Sequence, residues 1–135
     1  MVLHGGSDGQ LSLYGLENER VFNWTQEELQ TKIDLGQGER IPTLESLIML
    51  CMDSPSMLLN IELKGPLTAK WEAMYNYDLA AQKVVSLIEE YGIGLKTMVS
   101  SFVPKILESI LRASPDEASR DFIIQSLCNR GEKPC

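Results

Sequence analysis

An α/β fold with about four parallel strands is what this sequence predicts. Three observations carry the prediction. Short runs rich in Val, Ile and Leu alternate along the chain with stretches whose apolar residues recur at helical spacing. The chain has 135 residues, the length of about one domain. Apolar residues make up 44% of it and charged residues 23%, a balance that supports a packed core rather than a disordered chain.

Read in order, the first apolar stub is Val2-Leu3, ending in His4 and followed by the turn-rich Gly5-Gly6-Ser7-Asp8-Gly9, a strand entering a glycine loop. Thr25-Gln26-Glu27-Glu28 fits a capping box, with Trp24 and Leu29 placed as a hydrophobic staple, so a short helix runs from Thr25 to about Lys32. Asp34 to Gly38 is a loop. Thr43 caps a second helix, in which Leu44, Leu47, Ile48 and Cys51 share a face and Glu45 complements the dipole. Asp53-Ser54-Pro55 ends it.

Leu58 to Lys64 alternates as a strand. Leu59, Ile61 and Leu63 point one way, and Asn60, Glu62 and Lys64 the other. A loop with Trp71, Tyr75 and Tyr77 leads to a third helix, about Leu79 to Tyr91, with a stripe of Ala80, Val84, Leu87, Ile88 and Tyr91 and with Gly92 as its C′ residue. Thr97 to Phe102 is a strand. Pro104 opens a fourth helix with Ile106, Leu107, Ile110 and Leu111 as its buried face, and Ser114-Pro115 ends it. Phe122 to Leu127 is the last strand, before a polar tail over residues 128–135. Strands alternating with helices predict parallel pairing through crossovers.

Charge and composition exclude several function classes. With 19 acidic and 12 basic residues, the formal net charge is −7, which lacks the basic footprint of a nucleic-acid or anionic-membrane binder. No run of 18 apolar residues provides a membrane span. Met1-Val2-Leu3-His4 reads as neither a signal nor a transit peptide. The three cysteines, Cys51, Cys128 and Cys135, form no Cys-x-x-Cys pair and read as free thiols, which favours a reducing, cytoplasmic setting without assigning a compartment. The single histidine, His4, excludes a two-histidine zinc site.

The strand Asn60-Ile61-Glu62-Leu63-Lys64 is the most informative feature for chemistry. A parallel strand is ordinarily buried on both faces, and a carboxylate and an ammonium there must pair, hydrogen-bond or bind a metal. Two readings stand: an ion pair at a solvated strand end, or a carboxylate for a hard cation beside a lysine for an anionic substrate. Both residues sit toward the C-terminal end of the strand, where α/β folds place their sites. His4 ends a strand too, where acid/base use or a structural hydrogen bond are the alternatives. His4-Gly5-Gly6 is not read as an esterase oxyanion loop, because no second histidine is available as base, and no Gly-Lys-Ser/Thr makes it a phosphate loop. Ser100-Ser101 reads as strand-end packing and hydrogen bonding.

Four segments occur in a telling order: Val2-Leu3-His4, Glu39-Arg40-Ile41-Pro42-Thr43-Leu44-Glu45, Leu59-Asn60-Ile61-Glu62-Leu63-Lys64-Gly65-Pro66 and Val99-Ser100-Ser101-Phe102. The succession resembles the middle of a glycerophosphodiester phosphodiesterase domain, over residues 1–127. The resemblance implies a (β/α)₈ (TIM) barrel that hydrolyses glycerophosphodiesters to an alcohol and glycerol phosphate with a divalent cation, Mg²⁺ or Ca²⁺. It implies Glu62 as a metal ligand, Lys64 as a phosphate-binding residue and His4 as a catalytic acid/base. The family's earlier His-Arg, Glu-Asn and Glu-x-Asp segments do not precede His4 here, and Gly5 follows His4 where the family usually has Asp, Asp8 being the nearest carboxylate.

A full barrel needs about 250 residues, so the expectation is a partial barrel, about its third to sixth strands, inactive alone and prone to self-association through open sheet edges. Two alternatives remain: a non-catalytic interaction or regulatory remnant of such a barrel, and a small complete flavodoxin-like domain with helices on both faces of a four-stranded sheet.

Overall fold

A computed structural model describes residues 10–11, 15–65 and 69–128. The stub at residues 2–4, with His4, lies outside the described residues, as do Asp8 and most of the tail. The elements are β1 (Gln10–Leu11), β2 (Leu16–Arg20), α1 (Gln26–Lys32), α2 (Leu44–Met52), β3 (Leu59–Glu62), α3 (Ala69–Glu72), α4 (Tyr77–Glu90), β4 (Thr97–Ser101), α5 (Pro104–Ala113) and β5 (Ile123–Ser126), with 3-10 turns at Val21–Asn23 and Gly94–Lys96.

β3, β4 and β5 form a parallel sheet in sequential order. Three parallel strands are therefore described, and the fourth one expected falls outside. Helices α3 and α4 connect β3 to β4, and α5 connects β4 to β5. One core holds the fold together: Ile48 from α2, Ile61 from β3, Ala81, Val84, Val85 and Ile88 from α4, Val99 from β4, Ile110 from α5, and Phe122. Thus α2, α4 and α5 share the sheet face that bears Ile61 and Val99. The opposite face is not covered in the same way, since Ile123 is 63% exposed there. Among the described residues no helix lies on that second face, unlike the flavodoxin-like alternative.

The caps follow the sequence. Thr25 accepts from the Glu28 N–H, while the Glu28 carboxylate accepts from the Thr25 N–H at 2.8 Å, closing the capping box. Trp24 packs on the small cluster of Leu29, Ile33 and Ile41. Thr43 accepts from the Ser46 N–H at 2.9 Å. At the end of α4, Gly92 takes a φ of +59°. Its N–H donates to the Glu89 carbonyl and that of Ile93 to the Ile88 carbonyl, a Schellman motif whose flanking isoleucines join the core.

Several expectations change. Gln10–Leu11 and Leu16–Arg20 pair as antiparallel strands, β1 and β2, which the alternation pattern did not reveal. The aromatic loop contains a short helix, α3. Asn76 starts α4 two residues early, because its side chain accepts from the Leu79 N–H at 2.9 Å. The buried stripe of α4 is Ala81, Val84, Val85 and Ile88, which leaves Ala80, Leu87 and Tyr91 half-buried at its rim. In α5, Leu111 is exposed and Ser109 is buried in its place. The hydroxyl of Ser109 accepts from Arg112, which makes its burial tolerable.

Two consequences are testable. Ile48 is fully buried where α2 meets the sheet. Ile48→Ala is expected to cost about 2–5 kcal/mol in urea unfolding by opening a cavity. The bonds from Thr25 hold the Glu28 carboxyl below its ordinary value of 4.5. The folded value is the lower one, so this contribution is complete above the unfolded value and disappears as pH falls through the folded one. The protection of the Thr25 amide against exchange, taken relative to its intrinsic pH-dependent rate, is expected to fall as pH falls through the carboxylate range, and Glu28→Ala is expected to remove that dependence.

Candidate functional site

The register of the sheet decides which side chains meet. Glu62 is opposite Ser100, and Ser100 opposite Gln125, so these three form one polar row across the sheet. The row before it is Asn60, Met98 and Ile123. Lys64 follows β3 on the same side by alternation. These residues lie on the face away from the helices.

Lys64 Nζ stands 3.9 Å from Glu62 Oε1. That is a charge contact rather than a hydrogen bond. The Lys64 side chain is 43% exposed and that of Glu62 29%, so both are half in water. The expectation of a strand buried on both faces is corrected here: the described helices cover one face only, and the charged pair is solvated. A pair with this geometry contributes little to stability. Both groups therefore keep their charge available to a third partner.

The serines hold the strand ends in place. Ser100, fully buried, donates to Asn60 Oδ1 at 2.9 Å. Ser101, also fully buried, donates to the Leu63 carbonyl at 2.7 Å and accepts from the Val103 N–H at 3.0 Å. These bonds tie the end of β4 to the end of β3 and to the turn entering α5, in agreement with the packing role expected from the sequence. Gly65 completes the exit from β3. A Cβ there would stand 3.1 Å from Ile106 Cδ1 and 3.1 Å from Val103 Cγ2, a close contact that glycine relieves where the chain leaves Lys64 beside α5.

A polar cleft of about 630 Å³ lies beside this exit, between the start of α4 and α5. Tyr75, Asn76, Asp78, Lys105 and Arg112 line it, together with Tyr77, whose ring borders Gly65. Three of its charges have partners. Arg112 donates to Asp78 at 2.7 Å and holds that carboxyl below its ordinary range. Lys105 pairs with Glu72, which raises the lysine. Burial pushes the Tyr75 hydroxyl up, with Tyr77 adding to it. Neither Glu62 nor Lys64 lines this cleft. The ion pairs bind α5 to α4 and α3 rather than present free charge.

Of the residues singled out by sequence, the structure brings Glu62 and Lys64 together, while His4 lies outside the described residues. Ser100 and Gln125 join their face; only the strand register identifies them, and no local pattern contains it. Among the described residues no group of three or more His, Cys, Asp or Glu is placed to hold a metal ion. Mg²⁺ and Ca²⁺ take six or more oxygens, and this face offers one carboxylate. The described residues do not by themselves fit a divalent cation.

The chain matches no protein-family model and no curated protein significantly. A solved structure titled as a "putative glycerophosphodiester phosphodiesterase" from Galdieria sulphuraria superposes with a TM-score of 0.68 at 25% identity, over 97% of this chain. The fold is glycerophosphodiester phosphodiesterase-like. With its sequential parallel sheet, the chain is a partial (β/α)₈ barrel. It spans about half the length of that solved structure, 48%.

The solvated geometry of the pair has a direct test. Glu62→Ala and Lys64→Ala are each expected to change unfolding stability by less than about 1 kcal/mol, measured by urea melts monitored by circular dichroism. A larger loss assigns the pair a structural role.

Proposed function

We propose that this chain carries the Glu62–Lys64 part of a phosphoric diester hydrolase site acting on glycerophosphodiesters, releasing an alcohol and glycerol phosphate. The observation that carries the proposal is the placement of these two side chains, half-exposed and facing each other, on the open face at the carboxyl end of a parallel strand. The likeness to the Galdieria sulphuraria structure over nearly the whole chain supports it.

In this reading the Lys64 ammonium takes a phosphate oxygen. Its stem emerges beside Gly65, and its contact with Glu62 is long enough to be shared with an anion. Glu62 is the strand carboxylate for a divalent cation, Mg²⁺ or Ca²⁺, one ligand position among the several such an ion needs. His4 is the group that moves the proton at the scissile ester, a role given to it by the sequence resemblance. Asn60, held by Ser100 through its carbonyl oxygen, leaves its two N–H donors unused by that bond. A second reading, a non-catalytic barrel remnant that binds phosphate without hydrolysing its esters, is favoured by the single carboxylate on this face.

The chain alone is incubated with glycerophosphocholine and Mg²⁺ or Ca²⁺, and its affinity for glycerol 3-phosphate is measured by calorimetry. The expected outcome is no turnover, with glycerol 3-phosphate bound and its affinity reduced roughly tenfold or more by Lys64→Ala, the loss of a charged contact. Turnover that Glu62→Ala abolishes shows that this chain suffices for catalysis and overturns its incompleteness. Absence of binding, or binding indifferent to Lys64→Ala, overturns the site itself.

A further inference from the structure

We infer that Tyr77, at the start of α4, is a positioning residue for Lys64: its ring closes one side of a clamp on Gly65 and so fixes the main chain from which the lysine stem departs. The inference rests on the phosphate reading for what Lys64 binds, while the clamp itself is read from packing alone.

The sheet stops holding this segment just before the lysine. Leu63 is secured twice, its N–H donating to the Ser100 carbonyl at 2.8 Å and its carbonyl accepting from Ser101 Oγ at 2.7 Å. Among the described residues no main-chain hydrogen bond continues to Lys64 or Gly65. Packing takes over at Gly65, which is buried. The space that a Cβ would fill there lies 3.1 Å from Ile106 Cδ1, 3.1 Å from Val103 Cγ2 and 3.6 Å from Tyr77 Cε1. Two of these walls belong to α5 and its N-cap. Ile106 is fully buried, and the Val103 N–H donates to Ser101 Oγ at 3.0 Å. Tyr77 is the third wall and comes from a different helix. The Lys64 side chain has only its 3.9 Å contact with Glu62 to direct it, so the departure of its stem is set at the main chain.

The ring of Tyr77 makes this contact, not its hydroxyl, which forms no hydrogen bond among the described residues. Tyr75 backs the ring, with centroids 4.9 Å apart and planes inclined at 53°, a separation at which aromatic pairs attract. Between the two tyrosines Asn76 caps α4, accepting from the Leu79 N–H at 2.9 Å. That cap fixes where the helix starts, and hence where Tyr77 stands. Tyr77 does not belong to the hydrophobic core around Ile61 and Val99. Removing its ring therefore loosens the exit from β3 more than it loosens the fold.

Two measurements on the full chain test this. Backbone relaxation by nuclear magnetic resonance, without ligand, reads the fast motion of the Lys64 and Gly65 amides. Tyr77→Ala is expected to increase that motion, and Tyr77→Phe to leave it as in the wild type. Calorimetry with glycerol 3-phosphate then reads the consequence for the lysine. Tyr77→Ala is expected to weaken binding about threefold to tenfold, Tyr77→Phe to leave it unchanged, and Tyr77→Ala added to Lys64→Ala to weaken it no further, the non-additivity of residues that act through one another. Should Tyr77→Ala unfold the chain, Tyr77→Leu, which also lacks the ring, takes its place. Unchanged relaxation without the ring, a loss of affinity that Tyr77→Phe shares, or an equal loss in the Lys64→Ala background overturns the inference. Affinity indifferent to Lys64→Ala overturns the phosphate reading instead, and relaxation alone then decides the clamp.

Discussion

The parallel register between β3 and β4 is the constraint on which the rest depends. Pairing Ile61 with Val99 sends both into the core, and the same pairing sets Glu62 beside Ser100 on the other face. Side chains alternate with period two, so a slip of one residue would bury Glu62 and Lys64 among the helices and turn Ile61 outward. Burial of Ile61 and Val99 under α2, α4 and α5 makes that slip costly. The position of the charged pair is thus fixed by the hydrophobic core behind it rather than by the weak attraction between its own members.

The strand ends receive a second layer of restraint. Ser101 bonds backbone on two sides, to Leu63 and Val103, and Ser100 anchors Asn60. Gly65 then lets the chain turn beneath Ile106 and Val103. Short polar residues with buried hydroxyls tie the carboxyl edge of the sheet together, while Lys64, 43% exposed, makes only a long contact with Glu62. A binding surface needs both properties: a fixed base, and a charge not yet committed to a partner.

Much of the architecture was legible in the sequence because local physics determines it. Thr25 and Thr43 cap where their spacing to Glu28 and Ser46 demands, Pro104 opens α5, and Gly92 closes α4 in a left-handed conformation. The alternation in Leu59–Lys64 fixed which residues share a face. Tertiary contacts decided the remainder. The stripe of α4 turned toward Ala81 and Val85 because α5 packs along that side, and Ser109 replaced Leu111 in the interface once Arg112 satisfied its hydroxyl. The β1–β2 pair has an irregular register and little alternation to announce it. Gln125 joined the polar face only through a strand pairing that sequence spacing does not encode.

The solvated state of Glu62 and Lys64 joins fold and function. An ion pair sealed inside a parallel sheet would be a structural feature, whereas a long, half-exposed one at the strand end is available to a ligand. The most direct measurement is nuclear magnetic resonance of the lysine side chains during titration with glycerol 3-phosphate. The account predicts a saturable shift at Lys64 that exceeds any at the exposed Lys32 and Lys83. Uniform, non-saturating shifts across all three lysines would contradict it.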